Sequence, residues 1–69
     1  MSFPEDHPVH QLRVERGWTL ADLGGRAHCS VPLLSNIEHG YVPHEKTRRN
    51  IAKALDVSTD HLWPPGSGA

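Results

Sequence analysis

With 69 residues, the chain has room for one domain and one modest core. A domain this small buries only about 60% of the surface its unfolded chain exposes, which excludes a deep substrate cavity beside the core. Hydrophobic residues at 36% and charged residues at 22% suit a folded globule rather than a disordered tail, and the apolar runs of two or three residues cannot span a bilayer. The net charge of −1 argues mildly against a nucleic-acid partner, but its distribution argues the other way. Residues 26–54 set Arg26, Lys46, Arg48, Arg49 and Lys53 against Glu38 and Glu45, giving +3, and the segments on either side carry −2 each. Positive charge therefore gathers in the middle, where a phosphate-facing surface needs it; a solvated basic face with no partner is the competing reading. Met1 to Val9 holds Glu5, Asp6 and two prolines without an apolar run, so it does not read as a signal peptide. Cys29 is alone, and a reducing cytoplasmic setting, close to the nucleoid, is the expectation.

The pattern predicts five short helices, no strand and no internal repeat. The first runs roughly from Pro8 to Arg16, with Pro8 in the first turn and Val9, Leu12, Arg13 and Arg16 on one stripe. Gly17 ends it. Thr19 then reads as an N-cap with Asp22 three residues on, close to a capping box although Asp is shorter than the preferred Glu. The second helix, about Leu20 to Ala27, turns Leu20, Leu23 and Ala27 inward. Gly24 and Gly25 mark either a close approach by another helix or a weak helix. His28-Cys29 is short enough only for a turn. Ser30 caps the third helix, Pro32 sits in its first turn, Leu34 and Ile37 form its buried pair, and Gly40 closes it. Tyr41, Val42 and Pro43 form a loop. A fourth helix follows from His44 or Glu45 to Leu55, burying Ile51, Ala54 and Leu55. Ser58 caps a last short helix through Leu62 and Trp63, which Pro64-Pro65 stops. Residues 8–63 are the expected domain, between a flexible N-terminus at 1–7 and a flexible tail at 64–69.

Two short helices joined by a tight turn, the second capped by Ser30, give the outline of a helix-turn-helix. The third helix leaves Val31, Pro32, Leu33, Ser35, Asn36 and His39 away from its core side, a nearly uncharged surface of small groups suited to base edges. At this point the chain resembles the phage-repressor (Cro/XRE-type) helix-turn-helix family. Leu12 to Leu23 (LRVERGWTLADL) looks like the family's opening. Ser30 to Gly40 (SVPLLSNIEHG) is similar to its recognition helix, with the apolar-x-x-apolar-Glu-x-Gly ending. Pro43, Ile51 to Ser58 (IAKALDVS) and Leu62 continue the match, which covers about residues 9–63. The resemblance implies an all-α, five-helix, lambda-repressor-like domain.

Carried over residue by residue, it implies that Val31, Pro32 and Asn36 face the bases, with Leu33 and Ser35 beside them. Asn pairs bidentately with adenine N6 and N7, worth roughly 1–3 kcal/mol of discrimination, while Val31, Pro32 and Leu33 suit thymine methyls, so an A/T-containing half-site is expected. The alternative for Val31 and Leu33 is helix packing, and for Asn36 a solvated polar residue. Expected phosphate contacts are Thr19, Ser35, His39, Tyr41, His44, Arg48 and Arg49, with backbone N–H groups from the start of the fourth helix. About four to six phosphates neutralised per dimer imply a salt slope on the order of −4 to −5. The family also pairs a first-helix arginine with the glutamate ending the recognition helix, here Arg13 and Glu38, a structural pair fixing the angle of the reading helix. Three positions depart from the family pattern: Leu20 stands for a phosphate-touching Gln, Gly24 for Ala, and His28 for the turn Gly, where it must take a left-handed backbone.

Six histidines invite a metal or pH reading, but without paired Cys or His spacings no zinc or cofactor is expected. Histidines near phosphate would favour binding at lower pH. No nucleophile elbow or Gly-rich phosphate loop occurs, so enzyme activity is not expected. Trp63, with Leu62, reads either as a lid on the core or as a dimer anchor, since two reading helices must sit about 34 Å apart on DNA. The expected function is a transcription regulator, a repressor that binds a palindromic operator in double-stranded DNA as a homodimer. The alternative is an antitoxin-like or co-regulator protein-interaction module with DNA binding secondary, favoured by the net negative charge and the apolar Val31-Pro32-Leu33 patch.

Overall fold

The computed structural model describes residues 7–65, and within them the chain is all-helical: α1 (Pro8–Glu15), α2 (Leu20–Ala27), α3 (Val31–Glu38), α4 (Glu45–Leu55) and α5 (Thr59–Leu62). Of the expected flexible ends, residues 1–6 and 66–69 lie outside the described residues, while His7 is the N-cap of α1.

Local chemistry sets the helix ends. Thr19 Oγ1 accepts from the Asp22 N–H at 3.1 Å and the Thr19 N–H donates to the Asp22 carboxylate at 2.9 Å, so the short aspartate does complete a capping box. Those bonds from Thr19, the backbone one first, hold the Asp22 carboxyl below its ordinary value. Ser30 and Ser58 cap α3 and α5 in the same way through their hydroxyls. At the C-termini, Gly17 (φ 71°) and Gly40 (φ 110°) take the left-handed backbone. The Trp18 N–H reaches back to the Arg13 carbonyl and the Tyr41 N–H to the Asn36 carbonyl, the six-residue closure of a Schellman motif. The other two left-handed caps are not glycine. His28 (φ 58°) takes the conformation anticipated for it, and Asp56 (φ 60°) does the same at the end of α4, which the pattern did not announce.

The core consists of Val9, Leu23, Ala27, Leu34, Ile37, Ile51, Ala52, Leu55 and Leu62, so each of the five helices contributes at least one residue. Burying this set from water is the main force holding elements too short to be stable alone. In α4 the inward stripe differs by one position from the expected one: Ala52 is buried and Ala54 only half-buried. At 100° per residue Ala52 and Ala54 lie equally far on either side of the stripe through Ile51 and Leu55, so the packing of neighbouring helices, not the period, decides which of them is covered. Leu20 and Leu12 are likewise half-buried.

Of the paired glycines, Gly24 marks a close approach. A Cβ there would lie 2.5 Å from the Cys29 carbonyl oxygen and 3.5 Å from Leu34 Cδ1, whereas one at Gly25 would meet nothing within 4 Å. The α2–α3 turn thus folds back directly over α2, and Gly24 permits it. Of the described helices, none is long and apolar enough to cross a membrane.

Candidate nucleic-acid interface

The orientation of α3 follows from its two buried residues. Leu34 and Ile37 are 0% exposed; on a helix the opposite stripe is then Pro32, Asn36 and His39, and all three are exposed. Val31, at the first helical position, is 40% exposed. Leu33 and Ser35 lie on the flanks and are half-buried, with Leu33 packed against the core. The exposed face of α3 therefore carries one amide, one imidazole and small apolar groups, with no side-chain charge of fixed sign.

Glu38, the last residue of α3, is 5% exposed and is held from α1. Arg13 Nε donates to Oε2 at 2.7 Å and Nη2 to Oε1 at 3.2 Å, a bidentate pair, while Nη1 donates to the Trp18 carbonyl at 2.8 Å. The expected Arg13–Glu38 pair is thus present and has a third member. His10 Nδ1 lies 2.8 Å from Glu38 Oε1 and 3.1 Å from Arg13 Nη2. A carboxylate only accepts, so the shorter contact requires the proton on Nδ1. Burial pushes the Glu38 carboxyl up, but the hydrogen bonds from Arg13 and His10, and the attraction of both groups, outweigh it and hold the carboxyl below its ordinary value. The result is a buried polar tie between the first helix and the end of α3. The histidine's part in it was not visible in the spacing, since it depends on where α3 comes to rest.

The expected phosphate-contacting residues are differently committed. Thr19 is exposed at the start of α2, and its hydroxyl keeps a proton to donate while Oγ1 accepts from Asp22. His44 is the N-cap residue of α4 but makes no side-chain capping bond, so the first N–H groups of this eleven-residue helix are left for another acceptor. Tyr41 is 51% exposed in the loop before it. Arg48 spends Nη1 on the Pro43 carbonyl at 2.9 Å, bracing that loop. Arg49 pairs with Glu45 at 2.7 Å on the open surface, a contact that water and salt screen. His39 Nδ1 lies 2.7 Å from the Ser35 carbonyl and so carries the proton. Neutral His39 then presents only an acceptor at Nε2, and it can donate to a phosphate only as the imidazolium.

At the other end of the molecule, Leu62 is a core residue at 2% exposed. Trp63 is half-buried, and its Nε1 is buried with no hydrogen-bond partner among the described residues. Of the two residues read as a dimer contact, Trp63 is the one with surface to offer. A shallow groove of about 380 Å³ runs beside it, walled by His7, Pro8, Val42, Leu62, Trp63 and Pro64. Trp18, by contrast, is covered by the Arg26 guanidinium 4.2 Å from its ring centroid. Among the described residues no group of three or more His, Cys, Asp or Glu side chains is placed to hold a metal ion.

Two short helices meeting through a turn tight enough to need Gly24, the second capped by Ser30 and turned outward at Asn36, define a helix-turn-helix. A model of the helix-turn-helix domain family matches residues 9–63. The chain belongs to the helix-turn-helix DNA-binding family of the Cro/XRE kind. It is 36% identical over 55 residues to an HTH-type transcriptional regulator, DdrOP3, of Deinococcus deserti, in an alignment covering 78% of this chain and 43% of that protein. The chain thus spans less than half the length of this curated relative. No solved structure matches the chain.

Proposed function

We propose that the chain is a sequence-specific regulator of transcription, a repressor that binds a palindromic operator in double-stranded DNA as a homodimer and blocks the promoter by covering it. The observation that carries this reading is the outward stripe of α3. With Leu34 and Ile37 buried, Asn36 is exposed between Pro32 and His39, and Val31 stands at the helix start. Asn36 supplies the bidentate hydrogen bond to adenine, Val31 and Pro32 meet thymine methyls, and Leu33 and Ser35 contribute from the flanks. Thr19, Tyr41, His44 and the α4 N-terminus approach the phosphates, joined by Arg48 through the guanidinium nitrogen not used on Pro43 and by Arg49. Trp63, beside the exposed Val42, is the anchor for the second copy. The relative's description as a transcriptional regulator supports the same reading.

Selection of duplexes from a random pool, followed by sequencing, tests it. The expected product is a motif with A/T pairs in each half-site, bound with a salt slope on the order of −4 to −5. Asn36→Ala should lose roughly 1–3 kcal/mol of discrimination at one adenine while keeping non-specific binding. The competing reading, a protein-interaction module, draws on the apolar exposure of Val31 and the net charge of −1. It prevails if no motif is enriched even at low salt.

A further inference from the structure

The first helix begins on an unusual cap. His7 has extended backbone (φ −62°, ψ 136°), and its Nδ1 accepts the Val9 N–H at 3.1 Å. Only an imidazole nitrogen without its proton can accept, so this bond exists in the neutral form alone, with the remaining proton on Nε2. A serine or asparagine at this position would cap at any ordinary pH; a histidine does not. The same ring stands 6.1 Å from the Trp63 ring, centroid to centroid, at 60°, and walls the apolar groove with Pro8, Val42, Leu62 and Pro64. A charged imidazolium would be poorly solvated there.

We infer that His7 is a proton-sensitive latch: neutral, it caps α1 and closes against Trp63; protonated, it releases the Val9 N–H and leaves the groove. Burial of the ring pushes its pKa below the ordinary histidine value, against a smaller upward pull from the Glu38 carboxylate on α3. Glu38 is itself tied to Arg13 and His10 on α1. The α5 side chains Asp60 and His61 and the α4 cap residue His44 are exposed and form no wall of the groove. In sequence, Glu5 and Asp6 precede His7, outside the described residues. Because the folded form holds the proton less tightly than the unfolded chain, the latch contributes fully above about pH 6.5, the ordinary histidine value. That contribution is lost as the pH falls through the lower, folded value. The consequence reaches α3, since α1 carries both side chains that hold Glu38. The latch does not rest on the DNA-binding reading, and its test needs no DNA.

The test compares the full chain with His7→Asn, which caps without titrating, and His7→Ala, which cannot cap. At pH 8, His7→Ala should melt about 4–8 °C below the wild type, the shift expected for loss of one cap in a domain of this size, and His7→Asn should match the wild type. As the pH falls below the ordinary histidine value, the wild type should move toward the His7→Ala value relative to His7→Asn. At low temperature, Trp63 emission should shift to longer wavelength in the wild type along the same pH curve, because departure of the imidazole opens the indole to water. His7→Asn should stay flat, and Trp18, present in both proteins, cancels in the difference. The His7 imidazole itself, followed by NMR, should titrate below the value it has in the unfolded chain. Identical pH profiles for wild type and His7→Asn would overturn the latch, as would a His7 titrating at or above its unfolded value. So would a His7→Ala variant as stable as the wild type at pH 8.

Discussion

The two ends of this domain are held by opposite means. Around α2 and α3 the structure is fixed by contacts with little tolerance: Gly24 against the Cys29 carbonyl, the Thr19–Asp22 capping box, and the Arg13–Glu38–His10 tie. Around α5 the contacts are apolar and loosely filled: a four-residue helix, a shallow groove, and a tryptophan whose N–H finds no acceptor among the described residues. The difference teaches which end must be accurate. A helix proposed to meet base edges would work only in one orientation, and a buried, fully paired carboxylate at its last residue fixes that orientation more sharply than apolar contact would. The far end has only to cover the core, and on the proposed function to leave surface for a second copy.

The largest expected effect breaks the accurate end. Glu38→Ala leaves Arg13 and His10 partly buried without their acceptor and should cost about 3–5 kcal/mol, measured by urea unfolding. Such a loss is a large fraction of a small domain's stability. A cost below about 1 kcal/mol would show that the tie does not hold α3. The same group predicts an acid limit. The folded Glu38 carboxyl is depressed, so its contribution is present above its ordinary value and disappears as the pH falls through the folded one. Comparing wild-type and Glu38→Gln unfolding between pH 7 and pH 3 checks the sign: the gap between them should narrow toward acid.

The paired glycines sharpen the comparison within a single turn of α2. Gly24→Ala forces the α2–α3 turn outward and should destabilise by about 1–3 kcal/mol, in the manner of an overpacked core. Gly25→Ala meets open space and should stabilise by about 0.4–1 kcal/mol through helix propensity and a less flexible unfolded chain. Thermal melts of the two variants should move in opposite directions. At the loose end, Trp63→Phe keeps an aromatic ring and removes the N–H that has no partner. Its unfolding free energy should be unchanged or higher by up to about 1 kcal/mol, where deleting a hydrogen-bonded indole N–H would lower it.

Much of this architecture was legible because helix ends are chemically local. Gly17, Thr19, Ser30 and Gly40 announce boundaries within a turn of themselves, and Leu34 with Ile37 fixes the outward face of α3 by period alone. Arg13 and Glu38 came from the family resemblance, not from their spacing. What stayed hidden depends on distant partners. Asp56 does not advertise a left-handed backbone as glycine does, and Ala52 and Ala54 differ only in which flank α2 happens to face. His10 gained its role from the resting place of α3, and His7 from the ring of Trp63. Both histidines look, in sequence, like two members of a polar N-terminal stretch.

A further hydrogen bond joins the end of α1 to the end of α4. Arg16 Nη2 donates to the Leu55 carbonyl at 2.6 Å, across 39 positions of sequence, at the closing turn of α4. The guanidinium satisfies a terminal carbonyl and sits where the helix dipole is negative. It therefore fastens the C-terminal end of α1 to that of α4. During synthesis α1 has neither Glu38 nor Leu55 to hold until α3 and α4 have emerged, so its ties should form after α2 and α3 meet and be released early in unfolding. Amide exchange across α1 should accordingly run ahead of exchange in α2 and α4.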